Sequence, residues 1–584
     1  MDILRATWRY FRPYKMNVIL FFIMGLIVTL LNMVNPYVTK LIFDEVIDGK
    51  EVKLLTPLLL TMIGATIIKH IFQYTRSYII QKVSVNVSIS IREDVFKKFL
   101  YSSFEYFNRE KSGDIMTLMT SDAEAVKNLI ANTIPAVIEM LVSFIIACII
   151  LFGMNAKMTL ACFIIIPVVY FITKNFSSEM RFQHTNIRKK TANLNTVVQE
   201  NINGVRIVRA FTREDFENKK FDRVNGDFRQ ANMDHVDVWS RYSWKLSLSS
   251  NYPYIISMLY GSILAIQDKI TLGTYVAFGG YISYIMNPIN SISSYVSSIQ
   301  SAMASGDKLF GFLNMDAGIK SIVGAEKLEN FDGNIKFKNV GLQFDGNKIL
   351  KDIDIDIRQG VKIGIMGATG SGKTSIVSLL GRYYDCTSGE ILIDGVDIKK
   401  VDLQSWRKKI AYVMQDVFLF SDSVEGNIAF SDPDATFEQV EESAKVAEAH
   451  SFIMDMPEKY DTIVGERGIG LSGGQKQRIS IARAAIMDVP VIVLDDATSS
   501  VDMETEHAIQ SNLKRIMKGK TEIVIAHRIS SVRDADEILF LKDGEIAERG
   551  THEELIKKGG LYAEVYREQY GQDEDAVLAR EAAI

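Results

Sequence analysis

Between Val361 and Leu380 the run VKIGIMGATGSGKTSIVSLL sets Gly367, Gly372, Lys373 and Thr374 at the spacing G-x-x-x-x-G-K-[ST], after a strand-like apolar stretch and before a helical one. At Gly370 and Gly372 backbone N–H groups can approach a polyanion closely, and the helix that follows presents its positive end to it. Residues Gly367, Ala368, Thr369, Gly370, Ser371, Gly372, Lys373, Thr374 and Ser375 therefore form a candidate cradle for a nucleoside triphosphate. In it Lys373 would neutralise the β and γ phosphates and the Thr374 hydroxyl would hold Mg²⁺.

A second chemical element lies downstream. VPVIVLDD at 489 to 496 reads as an apolar strand ending in two carboxylates, the arrangement that sets an acid at a strand's carboxyl end beside the phosphate loop. Asp495 is the expected Mg²⁺ residue, acting through water. On its own, a strand ending in Asp-Asp is ordinary loop chemistry, so this assignment leans on its neighbours.

Those neighbours carry a family resemblance. LSGGQKQR at 471 to 478 resembles the signature of ABC-family ATPases. Gln415 in YVMQDVFLF is similar to the family's Q-loop, VGERG at 464 to 468 to the segment that touches the transmembrane domain, SSVD ending at Asp502 to the D-loop, and His527 in IVIAHR to the switch histidine. Phe344 in VGLQF stands where these proteins usually have a tyrosine that stacks on adenine. The resemblance implies that the nucleotide is ATP and that Lys373, Gln415, Asp496 and His527 work around its reacting phosphate, with Gln415 joining Thr374 and Asp495 at Mg²⁺. It also implies that Ser472, Gly473, Gly474 and Gln475 close on ATP held by a second subunit, so that a dimer is obligatory. EYFNREKSGDIMTLMTSD (105 to 122) and VQENINGVRIVRAFTRED (198 to 215) are similar to the cytoplasmic helix ends of six-span ABC exporters, which extends the resemblance over nearly the whole chain.

One position departs from the family's pattern. Directly after the Walker B aspartate the family normally has glutamate, which polarises the attacking water, and here the residue is Asp496. Both acids have similar reference pKa values, so basicity is not the issue. The shorter side chain retracts the carboxylate by about 1.3 to 1.5 Å, and a general base must reach its water at hydrogen-bond distance. With an intact LSGGQ, the chain resembles the degenerate-site subunit of heterodimeric bacterial multidrug exporters, whose partner carries the glutamate. Two other readings stay open: a homodimeric exporter in which Asp496 suffices, and an ATP-binding regulatory subunit that transports nothing.

The elements that position these residues follow from the rest of the 584 residues, a length that calls for several domains. Net charge is -5 with both signs interspersed, which excludes the one-sided basic footprint of a nucleic-acid binder. Three distant cysteines, Cys148, Cys162 and Cys386, make neither a disulfide framework nor a zinc site.

Apolar residues concentrate before Met315, where six segments can cross a bilayer as helices: 16 to 38, 56 to 80, 133 to 152, 157 to 175, 248 to 267 and 271 to 300. The last is rich in Ser, Tyr and Gly, as where a helix faces other helices or a wet cavity. The first is too long for a signal-peptide core and is expected to stay in the mature protein. Arg5, Arg9, Arg12 and Lys15, together with the basic connections 81 to 132 and 176 to 247, place both termini in the cytoplasm. Those connections keep helical spacing, so the membrane helices are expected to run on into the cytoplasm. Glu139, Lys69 and His70 are ionisable at membrane depth and read as an inter-helix pair, as snorkelling groups or as substrate contacts.

The expected fold class is an α-helical six-span transmembrane domain (1 to 317) followed by an α/β P-loop ATPase domain with a helical subdomain (318 to 570) and a C-terminal tail (571 to 584). The expected cargo is a hydrophobic or amphipathic compound of multidrug or lipid type, and the expected location a bacterial inner membrane.

Overall fold

The computed structural model describes every residue except 1, 111, 316–317, 323, 330, 345, 466–467, 469 and 572–584. All of the expected tail but Gly571, and Glu466 and Arg467 of the VGERG segment, thus lie outside the described residues. The chain forms two compact units, Met1–Leu100 with Ser112–Met315, and Asp316–Ile584 with the short segment Tyr101–Lys111.

The first unit is built of long helices. Leu55–Leu100 has 46 residues, roughly 70 Å at about 1.5 Å per residue, more than twice a bilayer's apolar core. Ile165–Asn203 and Glu214–Ile266, of 39 and 53 residues, likewise outlast any membrane crossing, as two connections with few helix breakers lead one to expect, although the helix stops at 101–103 in the first and at 211–213 in the second. Among the described residues three helical stretches, Arg5–Asp48, Val52–Leu100 and Ser112–Phe163, are long and apolar enough to cross a membrane. Helix Ile134–Phe163 breaks at Asn155, and the Asn155 Oδ1 accepts from the Met158 backbone N–H at 3.0 Å, restarting the helix as a cap does.

Helix Leu272–Asn314 carries the Tyr-rich run. Tyr281 is buried and donates to the Met33 carbonyl at 2.7 Å, while Tyr284 donates to that of Asn32 at 3.0 Å. These two tyrosines therefore serve helix packing rather than a wet wall. Glu139 has an inter-helix partner: the Arg76 guanidinium lies 2.6 Å away. Arg76 falls inside the expected span 56 to 80 but does not figure among the charges read from the sequence. Pairing is what makes two charges tolerable there, since an unpaired one at that depth is costly.

The second unit is α/β. Strands β1 (Ile335–Phe344), β2 (Asn347–Ile357), β4 (Ser388–Ile393) and β5 (Val396–Asp397) form an antiparallel sheet in the order β2-β1-β4-β5. In β2, Ile353, Ile355 and Ile357 are buried while Asp352, Asp354 and Asp356 between them are exposed, the period-two pattern of a half-covered sheet. The second sheet runs β10-β9-β3-β8-β7-β6, from β3 (Lys362–Gly367), β6 (Ile410–Val413), β7 (Val491–Asp495), β8 (Thr521–Ile525), β9 (Glu537–Lys542) and β10 (Glu545–Gly550). Its pairs from β9 across to β6 are parallel. All five β7 residues are buried, as a parallel strand covered on both faces requires.

Candidate ATP site

The parallel register assembles the site. Ile365 of β3 and Asp495 of β7 both pair with Ile525 of β8, and Val413 of β6 pairs with Leu494. The residues that follow these strands, the loop from Gly367, Gln415, Asp496 and His527, therefore emerge along one carboxyl edge, the usual ligand edge of an open parallel sheet. Gln415 and His527 are exposed there, and Asp496 is partly buried.

Two loop glycines are forced by geometry. Gly367 sits at φ 145° and a Cβ on it would come 2.3 Å from the Leu541 carbonyl oxygen. Gly372, at φ 101°, would meet Leu350 Cδ2 at 2.6 Å. Gly370 differs: at φ 82° its Cβ position faces open space. The buried Lys373 ammonium donates to the carbonyls of Gly367 and Ala368 at 2.8 and 2.9 Å, closing the loop on itself.

Ser371 Oγ is buried and has no hydrogen-bond partner among the described residues. A buried hydroxyl left unmatched costs about 1 to 3 kcal/mol, so a phosphate oxygen against it fits the loop. Burial holds the Lys373 ammonium below its usual range, against the opposite pull of Asp495 and Asp496. Burial likewise pushes the Asp495 carboxyl up; a hydrogen bond from Thr374 opposes that, and the Asp496 charge adds to it. The oxygens of Thr374 and Asp495 suit a hard cation such as Mg²⁺.

Asp496 adopts φ 49°, a left-handed conformation that Asp tolerates better than most residues. Phe344, half-buried at the end of β1, packs edge-on against Tyr384 with ring centroids 4.9 Å apart. Tyr384 also accepts a hydrogen bond from Asn108 at 2.8 Å, and Phe104 lies 4.6 Å from the Tyr383 ring. The Phe104–Arg109 helix is thereby fixed beside the expected adenine aromatic, a link no motif announces.

Ser472 caps the Gly473–Ala485 helix, its hydroxyl accepting from the Gln475 N–H at 3.2 Å while the Gln475 side chain accepts from the Ser472 N–H at 2.9 Å. No hydrogen bond among the described residues joins 472–475 to the phosphate loop. Instead the signature is locked to residues 499–501. Gln477 donates to Ser499 Oγ at 2.9 Å and accepts from the Ser500 N–H at 2.8 Å, while Arg528 donates to the Ser499 carbonyl at 3.1 Å. Arg528 is held by the buried Glu506 at 3.0 Å. Gln477 lies within LSGGQKQR, but its role and those of Arg528 and Glu506 carry no spacing signal, because their partners are distant in sequence.

A Cβ on Gly474 would come 2.8 Å from the Ser500 carbonyl. Gly474→Ala is expected to displace 499–501 and to lower steady-state ATPase of the assembled transporter by about tenfold or more, since misplacement by an ångström is costly. Binding of a fluorescent ATP analogue to this chain's own loop should stay within about twofold; a parallel loss of that binding would show the lock serves the fold instead.

Fold and loop together define a P-loop ATPase joined to membrane-crossing helices. The family described as "ABC transporter transmembrane region" matches residues 18–289, and that described as "ABC transporter" matches 350–499. The uncharacterized ABC transporter ATP-binding protein YknU of Bacillus subtilis is 35% identical over 98% of each chain. The putative multidrug export ATP-binding/permease protein YgaD of the same organism is 31% identical over 97% of this chain and 99% of its own. An ATP-dependent lipid A-core flippase of Syntrophus aciditrophicus is 30% identical, over 98% and 95%. The solved structure of a bacterial Atm1-family ABC exporter with ATP bound superimposes with a TM-score of 0.80 at 25% identity, over 96% of this chain and 99% of that one.

The chain belongs to the ABC transporter family, as an exporter half-transporter with its transmembrane region fused to its ATPase domain. It is a multi-pass membrane protein that binds ATP and couples its hydrolysis to export.

Proposed function

We propose that this chain is the degenerate-site subunit of a heterodimeric exporter that moves hydrophobic or amphipathic compounds across a bacterial inner membrane. The observation that carries the reading is Asp496 in place of glutamate beside an unaltered Ser472-Gly473-Gly474-Gln475. In this reading residues 1 to 317 form a six-span transmembrane domain and 318 to 570 the ATP-binding cassette, on the cytoplasmic side with both termini. Phe344 stacks on adenine, the loop from Gly367 to Ser375 holds the phosphates, and Thr374, Gln415 and Asp495 hold Mg²⁺. ATP in this loop acts mainly as a clamp. The exposed Ser472 end of the 13-residue Gly473–Ala485 helix, its positive end, closes on ATP held by the partner, where hydrolysis is fast.

Affinity purification of the tagged chain from its native membrane tests this. The expected result is an associated ABC chain with glutamate after its Walker B aspartate. A self-dimer with ordinary ATPase turnover that Asp496→Ala abolishes would sink the heterodimer and leave the homodimeric exporter. A complex that binds ATP yet moves no probe would favour the regulatory reading.

A further inference from the structure

The N-terminal helix Asp2–Phe11 buries Ile3, Thr7 and Phe11 and leaves Arg5, Trp8 and Arg9 exposed, with Arg12 and Lys15 exposed just beyond. Its buried face is held in place: Ile3 packs against the backbone at Gly306, and the Tyr10 hydroxyl donates to Asp94 at 2.7 Å. The outward face borders a groove of about 410 Å³ lined by Arg5, Trp8, Phe21, Phe22, Ile80 and Ile134, almost wholly apolar in its depth. That volume lies within the range of built small-molecule sites. The floor is fixed by the Arg76 guanidinium lying over the Phe21 ring at 4.7 Å, with Glu139 neutralising Arg76. Arg5, at the mouth, has no ion-pair partner among the described residues.

From this geometry we infer a binding site for one anionic glycerophospholipid of the leaflet at which the chain enters the membrane, an acyl chain in the groove and the headgroup phosphate on Arg5 and Arg9. The inference rests on the reading of Lys15–Leu41 and Leu55–Leu100 as membrane-crossing helices. Charge complementarity selects the occupant. Four cations, Arg5, Arg9, Arg12 and Lys15, stand where the first apolar helix begins, the level of lipid phosphates, and Trp8 beside them has the amphipathic ring that settles at that boundary. A neutral apolar ligand would leave the cationic rim unanswered, and a free anion would leave the groove unfilled. The lipid would brace the N-terminal helix against helices Leu55–Leu100 and Ile134–Phe163, which carry Ile80 and Ile134.

Native mass spectrometry of the delipidated full chain in detergent, titrated with phosphatidylglycerol or phosphatidylcholine of identical acyl chains, tests the site. Phosphatidylglycerol should be retained at least about fivefold better, and Arg5→Gln should lower its retention by about fivefold, the effect of one cation near a phosphate. Ile134→Trp, which fills the groove, should lower retention of both lipids. Equal retention of the two lipids, or unchanged retention in Arg5→Gln, would overturn the site, as would a groove variant that changes only the oligomeric state. Should Ile134→Trp fail to fold, the exposed Arg5 still decides. The readout uses neither ATP nor transport, so failure of the export reading and failure of this one are seen separately.

Discussion

Asp496→Glu should raise hydrolysis at this chain's own phosphate loop on the order of a hundredfold within the assembled transporter, the effect of restoring about 1 Å of reach to a general base. The strand end that carries the residue is rigid: Asp496 donates its N–H to the Ile525 carbonyl at 2.8 Å, next to the fully paired end of β7. A longer side chain therefore extends from a fixed origin. The same change has a structural cost, because residue 496 sits at φ 49°, where Asp is tolerated and Glu less so, and about 1 kcal/mol of stability should be lost. Higher turnover with a slightly lower melting temperature is the expected pair of results. Single-turnover hydrolysis of ATP trapped in this chain, read by vanadate trapping, checks the first and thermal unfolding the second. No gain in trapped-nucleotide hydrolysis would mean that reach is not what limits the site.

Lys373→Ala should weaken ATP binding at the same loop by about 10- to 100-fold, the worth of a charge-assisted hydrogen bond of about 1.5 to 3 kcal/mol, and remove hydrolysis there. Burial already holds the ammonium below its usual range, so part of what a triphosphate contributes is restoring a favourable setting for that charge. In the folded loop Lys373 also donates to the Gly367 and Ala368 carbonyls, and the variant leaves both to water. Lys373→Arg is not a conservative rescue, since a planar fork replaces a compact point charge in a loop shaped around one. Titration with a fluorescent ATP analogue gives the affinity directly. An affinity within about threefold of the parent would show that backbone N–H groups alone carry binding, and the assignment of Lys373 would fall.

The sequence by itself determined the local chemistry. A glycine loop of fixed spacing, a strand ending in acids, and a signature segment are each contiguous, and contiguous segments obey short-range rules: glycine for left-handed backbone, a helix end for anions, period two for a half-covered strand. Gly367 and Gly372 illustrate this, for both sit where φ is positive and a Cβ has no room. Long helices in the connections were legible for the same reason, as helical spacing with few breakers.

Tertiary structure alone decided the pairings. Arg76 and Glu139 are 63 residues apart and meet only because two helices pack, so the second charge of that pair went unread. Gln477 and Arg528 converge on 499–501 from two elements, Glu506 holds Arg528 from a third, and Asn108 meets Tyr384 across 276 residues. The carboxyl edge that gathers Gly367, Gln415, Asp496 and His527 exists only once the strand order β3-β8-β7-β6 is set, an order that no local preference encodes because each parallel neighbour is supplied by a crossover.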